Sequence, residues 1–240
     1  MSARAFGSDG APEVVRPSDA WCDLVLTLPM FIGYHLGVIF LPVRNAADVV
    51  TRELVALADH DMAAYGALTL AIGGTFAILL ILAGRGHALR WSRFGWMAAE
   101  GIFYAVAMRV VANYVVGRVF LAEGFPQGAF AGLVMSFGAG FYEELAFRVL
   151  LFGAGLKLIA VFFPLVSGPR RAVAWIGWAL VSAGIFSAWH YVGALGDPFD
   201  ARSFLFRWVC GAVFVVIYAF RGFAPAVWTH AVYDIWAMVL

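Results

Sequence analysis

Long apolar runs separated by short polar connections make up most of this chain. A membrane-spanning helix needs about 20 predominantly apolar residues. Runs of that kind lie at 22 to 42, 62 to 83, 94 to 116, 128 to 163, 173 to 193, 204 to 220 and 225 to 240. The pattern predicts an all-α fold, a polytopic transmembrane helical bundle of about seven or eight spans. The fourth run is too long for one ordinary crossing and predicts a tilted helix, a helix with an interfacial extension, or two spans. Between the first two runs, residues 43 to 62 mix Arg44, Asp48, Arg52 and Glu53 with Val and Leu at helical spacing. That spacing suits a helix lying on the outer membrane surface, and a solvated loop fits equally well. Three regions follow: a polar tail at 1 to 20, N-terminal transmembrane helices at 21 to 127, and a helical core at 128 to 240, the last two forming one bundle. No internal repeat is visible.

Composition agrees with the pattern. Of 240 residues 63% are hydrophobic and 13% charged, and the mean hydropathy is +0.87. Soluble domains carry about 25% charged residues, so this chain cannot cover a globular surface with charge. A net charge of +1 points to no nucleic-acid partner; the partner implied is the lipid bilayer. Arginine placement carries the orientation signal. Arg85, Arg90 and Arg93 in one connection and Arg170 and Arg171 in another predict two cytoplasmic loops, and with seven spans the amino terminus lies on the same side. The first 20 residues hold Arg4, Asp9, Glu13, Arg16 and Asp19 without an apolar core, which is not the pattern of a cleavable signal peptide. Cys22 and Cys210 lie in apolar runs without metal-ligand spacing and read as buried thiols. One lysine, Lys157, against fifteen arginines, with abundant Ala and Gly, suggests a GC-rich bacterial source and hence the cytoplasmic (inner) membrane.

Against this background a few polar residues stand out. Glu143, Glu144 and Arg148 fall together in GAGFYEELAFRVLLFGAG. An ionisable side chain at bilayer depth costs about 2.5 to 3.5 kcal/mol on insertion scales, so such residues need partners and usually a task. Glu144 and Arg148 are one helical turn apart and can pair, whereas Glu143 points about 100° away and is free for another role. A Glu/Arg pair that only joins helices is the structural alternative. FSAWH places Phe186 one turn before His190, which also suits an interfacial histidine beside Trp189 and Tyr191. HAVYD places His230 and Asp234 on one face. Glu100, Arg109, Asn113, His35 and Arg207 complete the intramembrane polar set. Arg109 and Asn113 share a face and could hold a substrate carboxylate or form a structural pair with Glu100 or another helix; Arg207 is near enough to its helix end to snorkel. Together the three clusters offer a base for water, imidazoles to orient it and donors for an oxyanion, the parts of a peptidase site. One feature conflicts. With these boundaries His190 ends its span while His230 begins a span running the same way, which predicts different depths.

The series EExxxR at Glu143, Glu144 and Arg148, FxxxH at Phe186 and His190, and HxxxD at His230 and Asp234 resembles the CPBP intramembrane endopeptidases. That family includes the type II CAAX prenyl endopeptidases and bacterial proteins linked to bacteriocin processing and self-immunity. The similarity runs over roughly residues 128 to 238, and FRGFAPAVWTHAVYD resembles the family's lead into its last motif. The resemblance implies hydrolysis of a peptide bond in a membrane-associated protein or peptide. Glu143 would activate water, His190 would help hold it, and His230 and Asp234 would face the oxyanion, with Glu144, Arg148 and Phe186 in support. The family's last motif commonly ends in asparagine, whose amide can donate. Asp234 donates only when protonated, and could instead orient a protonated His230. Zinc is the open cofactor, with Glu143, His190 and His230 as its ligands if the enzyme is metal-dependent. HExxH is absent, and the prenyl-endopeptidase branch favours a metal-free, glutamate-dependent site.

Other readings compete. An aspartyl intramembrane peptidase would need YD and GxGD, but Tyr233-Asp234 precedes nothing suitable and Ala194-Leu195-Gly196-Asp197 lacks the first glycine. A rhomboid-type serine site would need GxSG in a span, and Ser167 lies in a basic loop. A proton-coupled carrier could use buried Glu, Arg and His, though it would be expected to show a repeat between halves. A non-proteolytic binding or immunity protein could keep the motifs without cleavage. For a bacterial protein the expected substrate is a leader peptide, a sorting signal or another membrane protein rather than a prenylated tail. The sequence does not indicate an oligomeric state.

Overall fold

The computed structural model describes residues 17–41, 44–85, 91–117, 128–162, 169–193 and 196–240. They form eight helices, with no strand among the described residues: α1 (Pro17–Phe40), α2 (Val49–Leu57), α3 (Met62–Ala83), α4 (Ser92–Val116), α5 (Ala129–Phe162), α6 (Pro169–Trp189), α7 (Ala201–Arg221) and α8 (Phe223–Met238). Residues 1 to 16 of the expected polar tail, Arg90 and Ser167 lie outside the described residues.

By length and composition six of these helices, α1, α3, α4, α5, α6 and α7, can cross a membrane. The polytopic helical bundle is as expected, with six candidate spans beside the seven or eight read from the pattern; the difference lies at the last run. α8 has 16 residues, about 24 Å at 1.5 Å per residue, short of the roughly 30 Å hydrocarbon core. Its apolarity serves the protein interior. Ala224, Ala226, Val227, Thr229 and Ala231 are fully buried, and α1, α4, α5 and α7 pack around the helix. An apolar run reads the same whether lipid or protein surrounds it, which is why hydropathy counted α8 as a span. α3 shows the opposite case: Leu70, Ile72, Ile78, Leu79 and Ile81 are exposed, giving an outer face suited to lipid.

The long fourth run is one continuous helix of 34 residues. Ala139–Glu143 and Leu145–Ala154 within it are π-helical. Turns closed by i→i+5 bonds hold more residues than α-turns, so the helix advances less than its residue count suggests. Gly140 lets α5 and α8 approach closely: a Cβ there would sit 2.9 Å from the Val227 carbonyl oxygen and 3.0 Å from the Ala231 nitrogen. Gly222, at φ +97°, turns the chain between α7 and α8 in a single residue, in the left-handed region glycine enters without strain.

Residues 43 to 62 are less superficial than the pattern suggested. Within residues 44–61 only Val49–Leu57 is helical, N-capped by Asp48, whose Oδ1 accepts from the Thr51 N–H at 2.9 Å. Asn45, Asp48, Thr51 and Val55 are buried, so this segment is tucked against the bundle. Of the structural partners open to Arg109, another helix is the one found rather than Glu100. Glu100 instead takes a two-pronged contact from Arg221 at 2.6 and 3.1 Å, and Arg109 lies 4.6 Å over the Trp236 ring. Cys22 and Cys210 are free thiols, the first only half-buried.

Candidate functional site

Two neighbouring residues of the π-helical stretch take different directions. Glu144 is fully buried and holds two partners: its Oε2 faces Arg148 Nε at 3.1 Å, and its Oε1 accepts from His230 Nδ1 at 2.6 Å. Arg148, 1% exposed, is enclosed by aromatic faces, its guanidinium 4.2 Å from the Phe186 ring centre and 4.8 Å from that of Phe214. Such cation–π contacts suit a desolvated arginine whose terminal nitrogens lack hydrogen-bond partners. Phe214 also stacks on His230, 4.7 Å between centres and 21° between planes. The pair Glu144/Arg148 thus does more than the expected holding of the helix: it anchors one nitrogen of His230.

Glu143 faces the other way. Its Oε1 accepts a hydrogen bond from Asn45 Nδ2 at 2.8 Å. Its Oε2 is buried with no hydrogen-bond partner, and lies 3.9 Å from His190 Nε2 and 3.9 Å from His230 Nε2. Asp234 Oδ2 is 3.5 Å from that same His230 nitrogen. The structure therefore gathers Glu143, His190, His230 and Asp234 around one point, with Glu144, Arg148 and Phe186 behind them.

The predicted mismatch in depth is removed by local geometry. His190 lies one residue beyond α6, and its Nδ1 donates to the Phe186 carbonyl one turn back at 3.0 Å. A carbonyl only accepts, so Nδ1 carries the proton and Nε2 of the neutral ring is left as an acceptor. This bond folds the imidazole back along its helix, where Phe186 is 5.1 Å from the His190 ring and 6.0 Å from that of His230. Beside the site the segment after α6 is tied down by Asp197, whose N–H donates to the His190 carbonyl at 2.8 Å and whose Oδ2 takes Arg207 Nη2 at 2.7 Å. Arg207 is thus paired rather than snorkelling, and Asp197 of the imperfect GxGD motif is spent on it.

The zinc alternative named from the sequence would draw on Glu143, His190 and His230. Among the described residues no group of three or more His, Cys, Asp or Glu side chains could hold an ion. One oxygen of Glu143 is tied to Asn45, and the other stands 3.9 Å from each imidazole.

Two contributors were not foreseen. Phe214 is one of 22 phenylalanines, and nothing in its spacing distinguishes it. Asn45 lies in a polar stretch far from the motifs; a neutral amide there carries no burial cost visible in hydropathy. His35, also buried, pairs with Tyr142 at 2.6 Å and approaches Tyr65 at 3.4 Å.

A multi-span helical bundle enclosing a carboxylate and two imidazoles defines a membrane protein with hydrolase-type side chains at its core. Residues 125–236, which contain every motif residue, match the family model described as Type II CAAX prenyl endopeptidase Rce1-like, a family of membrane proteases. The protein is an integral membrane protein with the character of a CAAX-type intramembrane protease. No curated protein and no solved structure matches the chain.

Proposed function

We propose that the protein is a glutamate-dependent intramembrane endopeptidase that hydrolyses a peptide bond of a membrane-associated protein or peptide. The observation that carries this reading is the free Oε2 of Glu143, buried and 3.9 Å from the Nε2 atoms of both His190 and His230. A water held about 2.8 Å from each would bridge Glu143 Oε2 and His190 Nε2. It donates one O–H to each, leaving a lone pair for the scissile carbonyl carbon. As the C–O bond forms, its proton passes to Glu143 and the carbonyl oxygen becomes an oxyanion.

His230 takes that charge. Its Nδ1–H is held by Glu144, and Asp234 beside Nε2 favours a second proton there by offering an acceptor. Nε2–H then turns to the oxyanion as charge develops. Collapse of the tetrahedral intermediate breaks the C–N bond, and Glu143 returns its proton to the departing amine. No step uses a metal, and activity of the purified protein is expected to be unchanged by a chelator such as EDTA.

The alternative with most in its favour is a binding or immunity protein that keeps the motifs. The two separate on Glu143→Ala at normal abundance. The peptidase reading predicts complete loss of cleavage with substrate still bound. A variant that keeps its activity in cells would favour binding instead.

A further inference from the structure

We infer that Asn45, on the segment between α1 and α2, is a positioning residue that selects the working orientation of the Glu143 carboxylate; this rests on Glu143 acting as the base. The amide is itself fixed on every side. Its Oδ1 accepts from the Ala47 N–H at 2.8 Å, which determines which end of the amide is oxygen. Its own backbone N–H donates to the Tyr34 hydroxyl at 3.0 Å, and Tyr34 is completely buried. Nδ2 is thereby left to point at Glu143 Oε1 at 2.8 Å. Asn45 is 7% exposed, so water does not compete freely for that bond.

A glutamate has three rotatable bonds and two equivalent oxygens. Pinning one oxygen decides where the other goes. With Oε1 held by Asn45, Oε2 faces the two histidine Nε2 atoms; without the amide the carboxylate can rotate or swing toward either imidazole and lose the water's geometry. Tyr142, the residue before Glu143, is fastened in the same corner through His35, and its ring meets that of Tyr34 edge-on at 5.5 Å. The segment carrying Asn45 and the π-helical stretch carrying Glu143 are thus braced against each other. Asn45 lies outside residues 125–236, so the region before the family match completes the site.

The test begins with membrane peptidomes of cells making the wild type and Glu143→Gln; peptides lost in the latter define the products. Asn45→Asp keeps the side-chain shape and the acceptor for Ala47 but removes the amide donor, and Asn45→Ala removes both. The inference predicts that each variant, at normal abundance and with an unchanged unfolding temperature in detergent, loses those products about 100-fold, the scale of a small misplacement of a reacting group. It also predicts that on the parent peptide kcat falls while KM stays within about threefold. In infrared difference spectra the carboxylate band assigned by subtracting Glu143→Gln should shift in both variants, which a merely structural role would not produce. Products retained within about threefold in either folded variant would overturn the inference whatever the band does, and so would failure of both to fold, which would make Asn45 a structural residue. If Glu143→Gln leaves the peptidome unchanged, it is the hydrolase reading that fails.

Discussion

At the residue scale the two adjacent glutamates are unequal. Glu144 is ion-paired to Arg148 at 3.1 Å through one oxygen and bonded to His230 through the other, whereas Glu143 Oε2 has only the two imidazoles at 3.9 Å. Removing Arg148 would leave Glu144 Oε2 without its ion-pair partner in a dry interior, with only His230 on the other oxygen. Arg148→Ala is expected to destabilise the protein by about 3 to 5 kcal/mol, the usual cost of orphaning a buried charge, read as a lowered unfolding temperature in detergent. His190→Ala should leave stability nearly unchanged and lower kcat at least about 100-fold, because the group removed acts on water rather than on packing. Asp234→Asn is a gentler change, since an amide at that place can donate to an oxyanion directly. It is expected to retain cleavage within about tenfold; complete loss would assign Asp234 a charge-dependent duty. These charged and imidazole residues were legible in the sequence because each is conspicuous in an apolar run. Asn45 and Phe214 were not, since a neutral amide in a polar segment and one phenylalanine among many leave no trace in pattern or spacing.

At the element scale, helices were readable to within a few residues, yet what each run of apolar residues faces was not. α8 looks like a span in hydropathy and is a 16-residue interior helix. The π-helical geometry around Glu143 is equally invisible, being a property of hydrogen-bond register rather than of residue type. It places Glu143 and Glu144 against α8, where Gly140 permits the close approach that brings His230 to both. A larger residue at 140 must push the helices apart. Gly140→Val is expected to cost about 1 to 3 kcal/mol through overpacking and to abolish cleavage, as His230 withdraws from Glu143 and Glu144. Wild-type cleavage by this variant would show that the α5–α8 spacing does not set the site.

At the scale of the whole molecule, four of the six helices of spanning length, α1, α4, α5 and α7, pack around α8, and the site draws on both halves of the chain. The connections carrying Arg85 with Arg93 and Arg170 with Arg171 are separated by two spanning helices, α4 and α5, so they emerge on one side, as does the start of α1. By arginine content that side is the one expected to face the cytoplasm. In a background lacking Cys22 and Cys210, cysteines placed at the exposed positions Arg85 and Arg170 should react with an impermeant maleimide from the same face. Labelling from opposite faces would contradict the six-span arrangement. The central claim, that Glu143 activates water for peptide hydrolysis, is tested most directly by comparing membrane peptidomes of cells making the wild type and Glu143→Gln at equal abundance. The account predicts a set of cleavage products present with the wild type and lost with the variant; an unchanged peptidome would contradict it.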